Sequence, residues 1–181
     1  MSVPISAADE CSLDPADAAI VRAQLGRFPR GAVEVAWRCP CGKPGVVKTA
    51  PRLPDGTPFP TMYYLTCPNA VKACSTLEGS GWMAEMTKRL GTDPDLAGRY
   101  LEAHQSYIAE REALGEQLDV VVPEISGVSA GGMPDRVKCV HALVAHSLAK
   151  GPWVNPVGDE ALVIVGEFWR TPCLPGLKEE R

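Results

Sequence analysis

Hydrophobic and polar positions alternate with two different periods along this chain, and the change of period divides it. Between Ala32 and Arg38 the pattern is two-residue, with Val33, Val35 and Trp37 on one side and Glu34 and Arg38 on the other, which predicts a strand. Cys39-Pro-Cys-Gly-Lys-Pro44 reads as a turn, and Val46, Val47 and Thr49 open a second strand, so the pair predicts a hairpin. Met62 to Leu65 reads as a third strand, ending at Cys67-Pro68. Before the hairpin, Asp14-Pro15-Ala16-Asp17 gives a helix cap, a first-turn proline and a first-turn acid; that helix carries Ile20, Val21 and Leu25 and stops at Gly26. Beyond residue 68 the period lengthens to that of helices, over about 69–78, 82–90 and 94–114, the last opened by Asp93-Pro94. Leu118–Val122 suggests a further strand. Asp135 suggests the cap of a helix carrying Val137, Val140, Val144 and Leu148, and 160–169 fits either helix or strand.

Strands early and helices later give an α+β class: a small antiparallel sheet from the N-terminal half packed against several helices. At 181 residues the chain has room for one domain. The expected bounds are a frayed stretch over 1–13, one domain over 14–170 and a disordered tail over 171–181. Residues 50–60 hold four prolines and must be a loop, long enough to be functional rather than filler. No apolar run approaches the ~20 residues that cross a bilayer, and the first ten residues lack the pattern of a secretory signal, so no membrane role and a cytoplasmic location are expected.

Charge changes the picture locally. The net charge is −4, yet Arg22, Arg27, Arg30, Arg38, Lys43, Lys48 and Arg52 face a single acid, Glu34, over residues 22–52. Grouped on one face, those cations would attract phosphate, nucleic acid or an acidic protein; read plainly, they are a solvated hairpin.

Seven cysteines in a chain without an export signal point to metal binding or catalysis rather than a disulfide framework. Cys39 and Cys41 fall on the hairpin turn, Cys67 at a strand end and Cys139 near a helix start, where thiolates can converge, while Cys74 is mid-helix and reads as core. Cys39 and Cys67 are each followed by proline, as one ligand is in ferredoxin-type runs. There is no Cys-x-x-Cys pair, which turns the reading from structural zinc towards an iron–sulfur cluster, with zinc as the alternative. The expected ligands are Cys39, Cys67 and Cys139, with His141 or Cys41 as the fourth. On a regular helix His146 also shares a face with Cys139, so the histidine that joins the cysteine stays open. Gly131, Gly132 and Asp135 run into a segment carrying Arg136 and Lys138. Free amides and a helix dipole there would make an anion site for a small anionic molecule or phosphate, with Arg136 or Arg52 facing the ligand. Two rival readings keep the same residues: a metal-free thiol enzyme with Cys139 as nucleophile and His141 or His146 as base, and an adaptor that uses the basic segment.

Several strings, taken in order, resemble one family. They are Arg38-Cys-Pro-Cys-Gly-Lys-Pro44, the proline-rich run from Thr49 to Thr61, Tyr64-Leu-Thr-Cys-Pro68, Ser129 to His141, Ala145-His-Ser-Leu-Ala149 and Asn155-Pro-Val-Gly-Asp159. Together they resemble the bacterial family called domain of unknown function 501 (DUF501), over roughly residues 18–162. The resemblance implies a cytosolic bacterial protein of one domain. It places Cys39, Cys67, Cys139 and His141 inside the matching strings and Cys11, Cys74 and Cys173 outside them.

Overall fold

A computed structural model describes residues 11–174. Helix α1 (Pro15–Leu25) opens as its sequence dictates: the Asp14 carboxylate accepts from the Ala16 amide at 2.9 Å, Pro15 takes the first turn, and Gly26 closes the helix at φ +68°. Strands β1 (Ala32–Arg38), β2 (Pro44–Thr49) and β3 (Tyr63–Leu65) form an antiparallel sheet in the order β1-β2-β3. Val35 lies opposite Val47, and Val46 opposite Leu65. The two-residue period divides the central strand's side chains between two cores. Val47 joins Leu13, Val21 and Ala32 under α1, whereas Val46 enters the main core on the other face.

That main core is helical. Helices α2 (Pro68–Glu78), α3 (Trp82–Leu90) and α4 (Pro94–Gln117) follow the predicted periods, with the Asp93 carboxylate accepting from the Leu96 amide at 3.0 Å. Helix α5 (Val140–Lys150) is apolar enough to sit inside, with Val140, Leu143, Val144 and Ala145 fully buried against β3, α2 and α6 (Pro156–Val165). Asn155 caps α6 through the Gly158 amide at 3.0 Å. A Cβ at Gly158 would run into the Leu143 carbonyl and the Ser147 hydroxyl, so only glycine lets α6 come this close to α5. The proline-rich loop is tied down from α4. The Tyr107 hydroxyl accepts from the amides of Met62 (2.6 Å) and Tyr63 (3.2 Å), and Arg111, 3% exposed, donates to the carbonyls of Pro60 (3.2 Å) and Ile125 (2.9 Å).

The α+β class and the sheet-plus-helices arrangement stand as expected; several local expectations do not. Leu118–Val122 is no strand, because Leu118 caps α4 and the chain turns back at Asp119 (φ +53°), with the Val120 amide donating to the Gly115 carbonyl. Asp135 caps nothing: residues 133–138 are turn and loop, and α5 starts at Val140 behind Cys139. The 160–169 stretch is helix to Val165, and a short 3-10 turn follows over Phe168–Arg170. At both ends the ordered chain extends past the expected bounds. The Ser12 amide donates to the Ala32 carbonyl at 2.9 Å, and Cys173, on the stretch expected as tail, is 3% exposed. Residues 1–10 and 175–181 lie outside the described part.

Candidate metal centre

Four cysteines from three separate parts of the chain meet at one end of the sheet. The turn after β1 closes through the Cys39 amide to the Lys43 carbonyl (2.9 Å) and the Gly42 amide to the Cys39 carbonyl (2.8 Å), with Gly42 at φ +85°. Cys67 stands at the N-cap of α2, before the first-turn Pro68. Amides of Thr66 (2.9 Å) and Cys67 (3.3 Å) both donate to the Gly45 carbonyl, which brings the end of β3 alongside the start of β2. Cys173 arrives from the far end of the chain. Its segment is fixed by the Asn69 side chain donating to the Thr171 carbonyl (2.8 Å) and by Phe168 set edge-on to Trp37, ring centres 6.1 Å apart.

The Cys173 Sγ lies 3.4 Å from that of Cys41, 3.6 Å from that of Cys39 and 3.0 Å from that of Cys67. The sulfurs of Cys39, Cys41 and Cys173 all lie within 4.8 Å of one another. None is in a disulfide, whose sulfurs would be ~2.05 Å apart. Burial pushes the Cys39 thiol up, and burial with the crowding thiols of Cys67 and Cys41 pushes Cys173 up further. At Cys41 burial works the same way, but amides of Lys43 and Cys173 and the thiols of Cys39 and Cys173 outweigh it and bring the group down to about 7. Such amides directed at sulfur are what a thiolate bound to a metal requires around it. Chemically, the cluster could hold a metal.

Cys139 and His141 belong to a second group. The last residue of α2, Glu78, reaches across to α5, where its Oε1 accepts from the Val140 amide at 2.7 Å and lies 3.0 Å from His141 Nδ1. That Nδ1 is 4.0 Å from Cys139 Sγ, and His141 Nε2 is 3.2 Å from both the Val71 carbonyl and the Ser75 hydroxyl. Glu78, Cys139 and His141 present donor atoms all within 4.8 Å of each other. The Cys139 thiol raises the imidazole most, burial opposes it and the Glu78 carboxylate adds to the rise, so His141 is pushed up to about 9. His146 goes elsewhere. It is fully buried between Tyr63 and Tyr107, 3.1 Å from the Asn155 amide, so it is no base for Cys139; His104 pairs with Ser129 at 2.8 Å.

The five expected ligands thus divide between two places. Cys39, Cys41 and Cys67 meet around Cys173, while Cys139 and His141 meet Glu78 instead. Cys173 was missed because its segment is rich in proline and charge, although the neighbouring Phe168-Trp169 pair is too apolar for a solvated tail. Nothing local marks Glu78, whose role depends on the packing of α2 against α5.

The expected anion site is not assembled. Gly131 and Gly132 do adopt positive φ (+69° and +95°), but they turn the backbone inward. The amides of Lys138 (2.7 Å) and Cys139 (3.3 Å) donate to the Gly131 carbonyl and that of Arg136 to the Gly132 carbonyl (3.1 Å), leaving none of these three for an anion. Asp135 and Arg136 are exposed. Arg52 is a clasp in another part of the fold, bound to Glu124 (2.9 Å) and to the carbonyls of Gly56 (2.8 Å) and Val121 (3.1 Å). The basic segment is partly neutralised as well, with Arg38 paired to Asp17 and Lys48 to Glu34.

Fold and side chains together define a small α+β protein with a cysteine cluster that could hold a metal and a separate carboxylate–thiol–imidazole group. The chain belongs to the DUF501 family, described as a protein of unknown function, whose family model matches residues 35–163. The match takes in Cys39, Cys41, Cys67, Glu78, Cys139 and His141 and ends before Cys173. No curated protein and no solved structure matches the chain. Among the described residues no helix is long and apolar enough to cross a membrane.

Proposed function

We propose that the protein binds a metal through Cys39, Cys41, Cys67 and Cys173, as a closed four-thiolate centre that ties the C-terminal segment to the hairpin and to α2. The observation that carries this reading is the approach of the Cys173 sulfur to within 3.0–3.6 Å of the other three. A tetrahedral ion with zinc–sulfur bonds of ~2.3 Å holds its sulfurs about 3.8 Å apart. Cys39, Cys41 and Cys173 already lie within 4.8 Å of one another, and Cys67, in contact with Cys173 but outside that trio, would turn inward to complete the set. An iron–sulfur cluster places inorganic sulfide and several irons between its thiolates and spreads them wider. The spacing therefore favours a single ion of the zinc class. All four positions are protein thiols, so the centre is structural and its contribution goes to folding.

Metal and sulfide analysis of anaerobically purified chain, beside Cys41→Ser and Cys173→Ser, tests the reading. The expected result is one zinc fewer per chain in each variant and no visible colour. Iron with sulfide and absorbance near ~400 nm would put a cluster on the same thiols. Unchanged metal content in both variants overturns the centre.

A further inference from the structure

Alongside β3, an edge strand of the sheet, lies a cavity of about 660 Å³, and its walls include Cys139 and His141. The same walls hold Thr66 and Gln24, and each leaves an oxygen without a partner. Thr66 is 1% exposed, and its Oγ1 is buried and makes no hydrogen bond among the described residues. The Gln24 side-chain amide donates to the Pro44 carbonyl at 2.7 Å, which leaves Oε1 as its free end, also buried and unbonded. Unpaired buried acceptors are rare in folded proteins, and both of these residues stand on the lining of this one cavity. The rest of the wall is mainly apolar and includes Leu65, Val71, Tyr63 and Tyr64.

We propose that Glu78, Cys139 and His141 form a second, open metal site on this cavity, and that the cavity takes a small, largely apolar molecule whose polar head completes the metal's coordination. The donor set is one carboxylate oxygen, one sulfur and one imidazole nitrogen, within 4.8 Å of one another. Three mixed protein ligands with a vacant fourth position are the pattern of a zinc ion that works on a ligand, whereas four thiolates are the pattern of one that only holds a fold. Support around the ligands is already present. His141 Nε2 lies 3.2 Å from the Val71 carbonyl, and donation there leaves Nδ1, the nitrogen facing Cys139 and Glu78, to carry the lone pair for a metal. Glu78 Oε1 is steadied by the Val140 amide.

The site shares no ligand with the four-cysteine centre, so the two stand or fall separately. Full-length chain is stripped of metal under reducing conditions and titrated with zinc and with cobalt(II), beside Cys139→Ser and Cys173→Ser. Two equivalents are expected in the wild type and one in each variant, with Cys139→Ser losing a different cobalt spectrum from Cys173→Ser. Azide, added as a probe of the vacant position, is expected to shift the cobalt bands that Cys139→Ser removes and no others. A Cys139→Ser chain that binds as much zinc as the wild type overturns the site, and unshifted bands overturn the vacant position. Should Cys139→Ser fail to fold, alkylation of the wild type decides: zinc should protect Cys139 from iodoacetamide while Cys11 still reacts, and equal labelling of Cys139 with and without zinc overturns the proposal. If the wild type binds one equivalent, kept in Cys173→Ser and lost in Cys139→Ser, the four-cysteine centre fails and this site stands.

Discussion

His146 shows how one buried side chain sets a property of the whole fold. Enclosed by Tyr63 and Tyr107, it is lowered by burial to about 4; the charges of Glu110 and Asp159 pull it up slightly and Lys150 pushes it down. In the unfolded chain the imidazole returns to ~6.5 and binds its proton more readily than the folded one does. Folding therefore keeps the full advantage of a neutral His146 above about pH 6.5 and loses it as the pH falls towards 4, by roughly 3 kcal/mol at most. Urea midpoints between pH 7 and 4 should fall along that window, and His146→Gln should flatten the fall even though it starts less stable. A slope unchanged by the substitution would assign the acid sensitivity to other groups. Arg111 makes the opposite case, a buried cation held by carbonyls alone. Arg111→Met removes the donors to Pro60 and Ile125 and should cost about 2–3 kcal/mol, read as a lower denaturation midpoint; a cost below ~0.5 kcal/mol would mean that the loop and the 123–125 turn hold without it.

Among the elements, those whose signals are local were legible in the sequence. Alternation at Val33, Val35 and Trp37 needs only neighbouring residues to make β1, and the aspartate–proline pairs at Asp14 and Asp93 act within one turn. The errors came where tertiary packing decides. Leu118–Val122 reads as apolar as a strand, yet it is the turn that closes a 24-residue helix, and Val137 is buried by a loop whose amide donates to Thr87 on α3 at 3.0 Å. Turn cysteines were legible as candidates, but their grouping was not, because Cys173 and Glu78 reach the others over 132 and 63 residues of chain. Two glycines in helices put the packing of elements to the test with opposite signs. Gly98, on the exposed face of α4, has nothing within 4 Å of the place a side-chain methyl would take, so Gly98→Ala should stabilise the fold by about 0.5–1 kcal/mol. Gly158→Ala should destabilise it by more than ~2 kcal/mol, because α6 must move off α5. Thermal melts of the two variants would reverse that order only if the α5–α6 contact were loose.

On the scale of the whole molecule, the proposed four-cysteine centre would add a metal link to the core contacts that already join sheet, α2 and the C-terminal segment. A strong chelator should therefore lower the melting temperature by 5 °C or more, given that ~1 kcal/mol moves a domain of this size by about 2–4 °C and a structural zinc contributes several. Cys173→Ser should show most of that fall without any chelator, and a melting curve indifferent to the chelator would leave the centre without a structural part. The distance in sequence has a consequence for how the protein is made. Cys173 follows Cys67 by 106 residues and Cys39 by 134. At the ribosome's ~5–20 residues per second, the first three thiols emerge and wait roughly 5–20 s for their fourth. During that interval they are a partial, exposed set, open to oxidation or to the wrong ion. If the four thiols hold a metal as proposed, the set is complete only once Cys173 has been made, and a translation pause before residue 173 would prolong the period in which the young protein is most easily damaged.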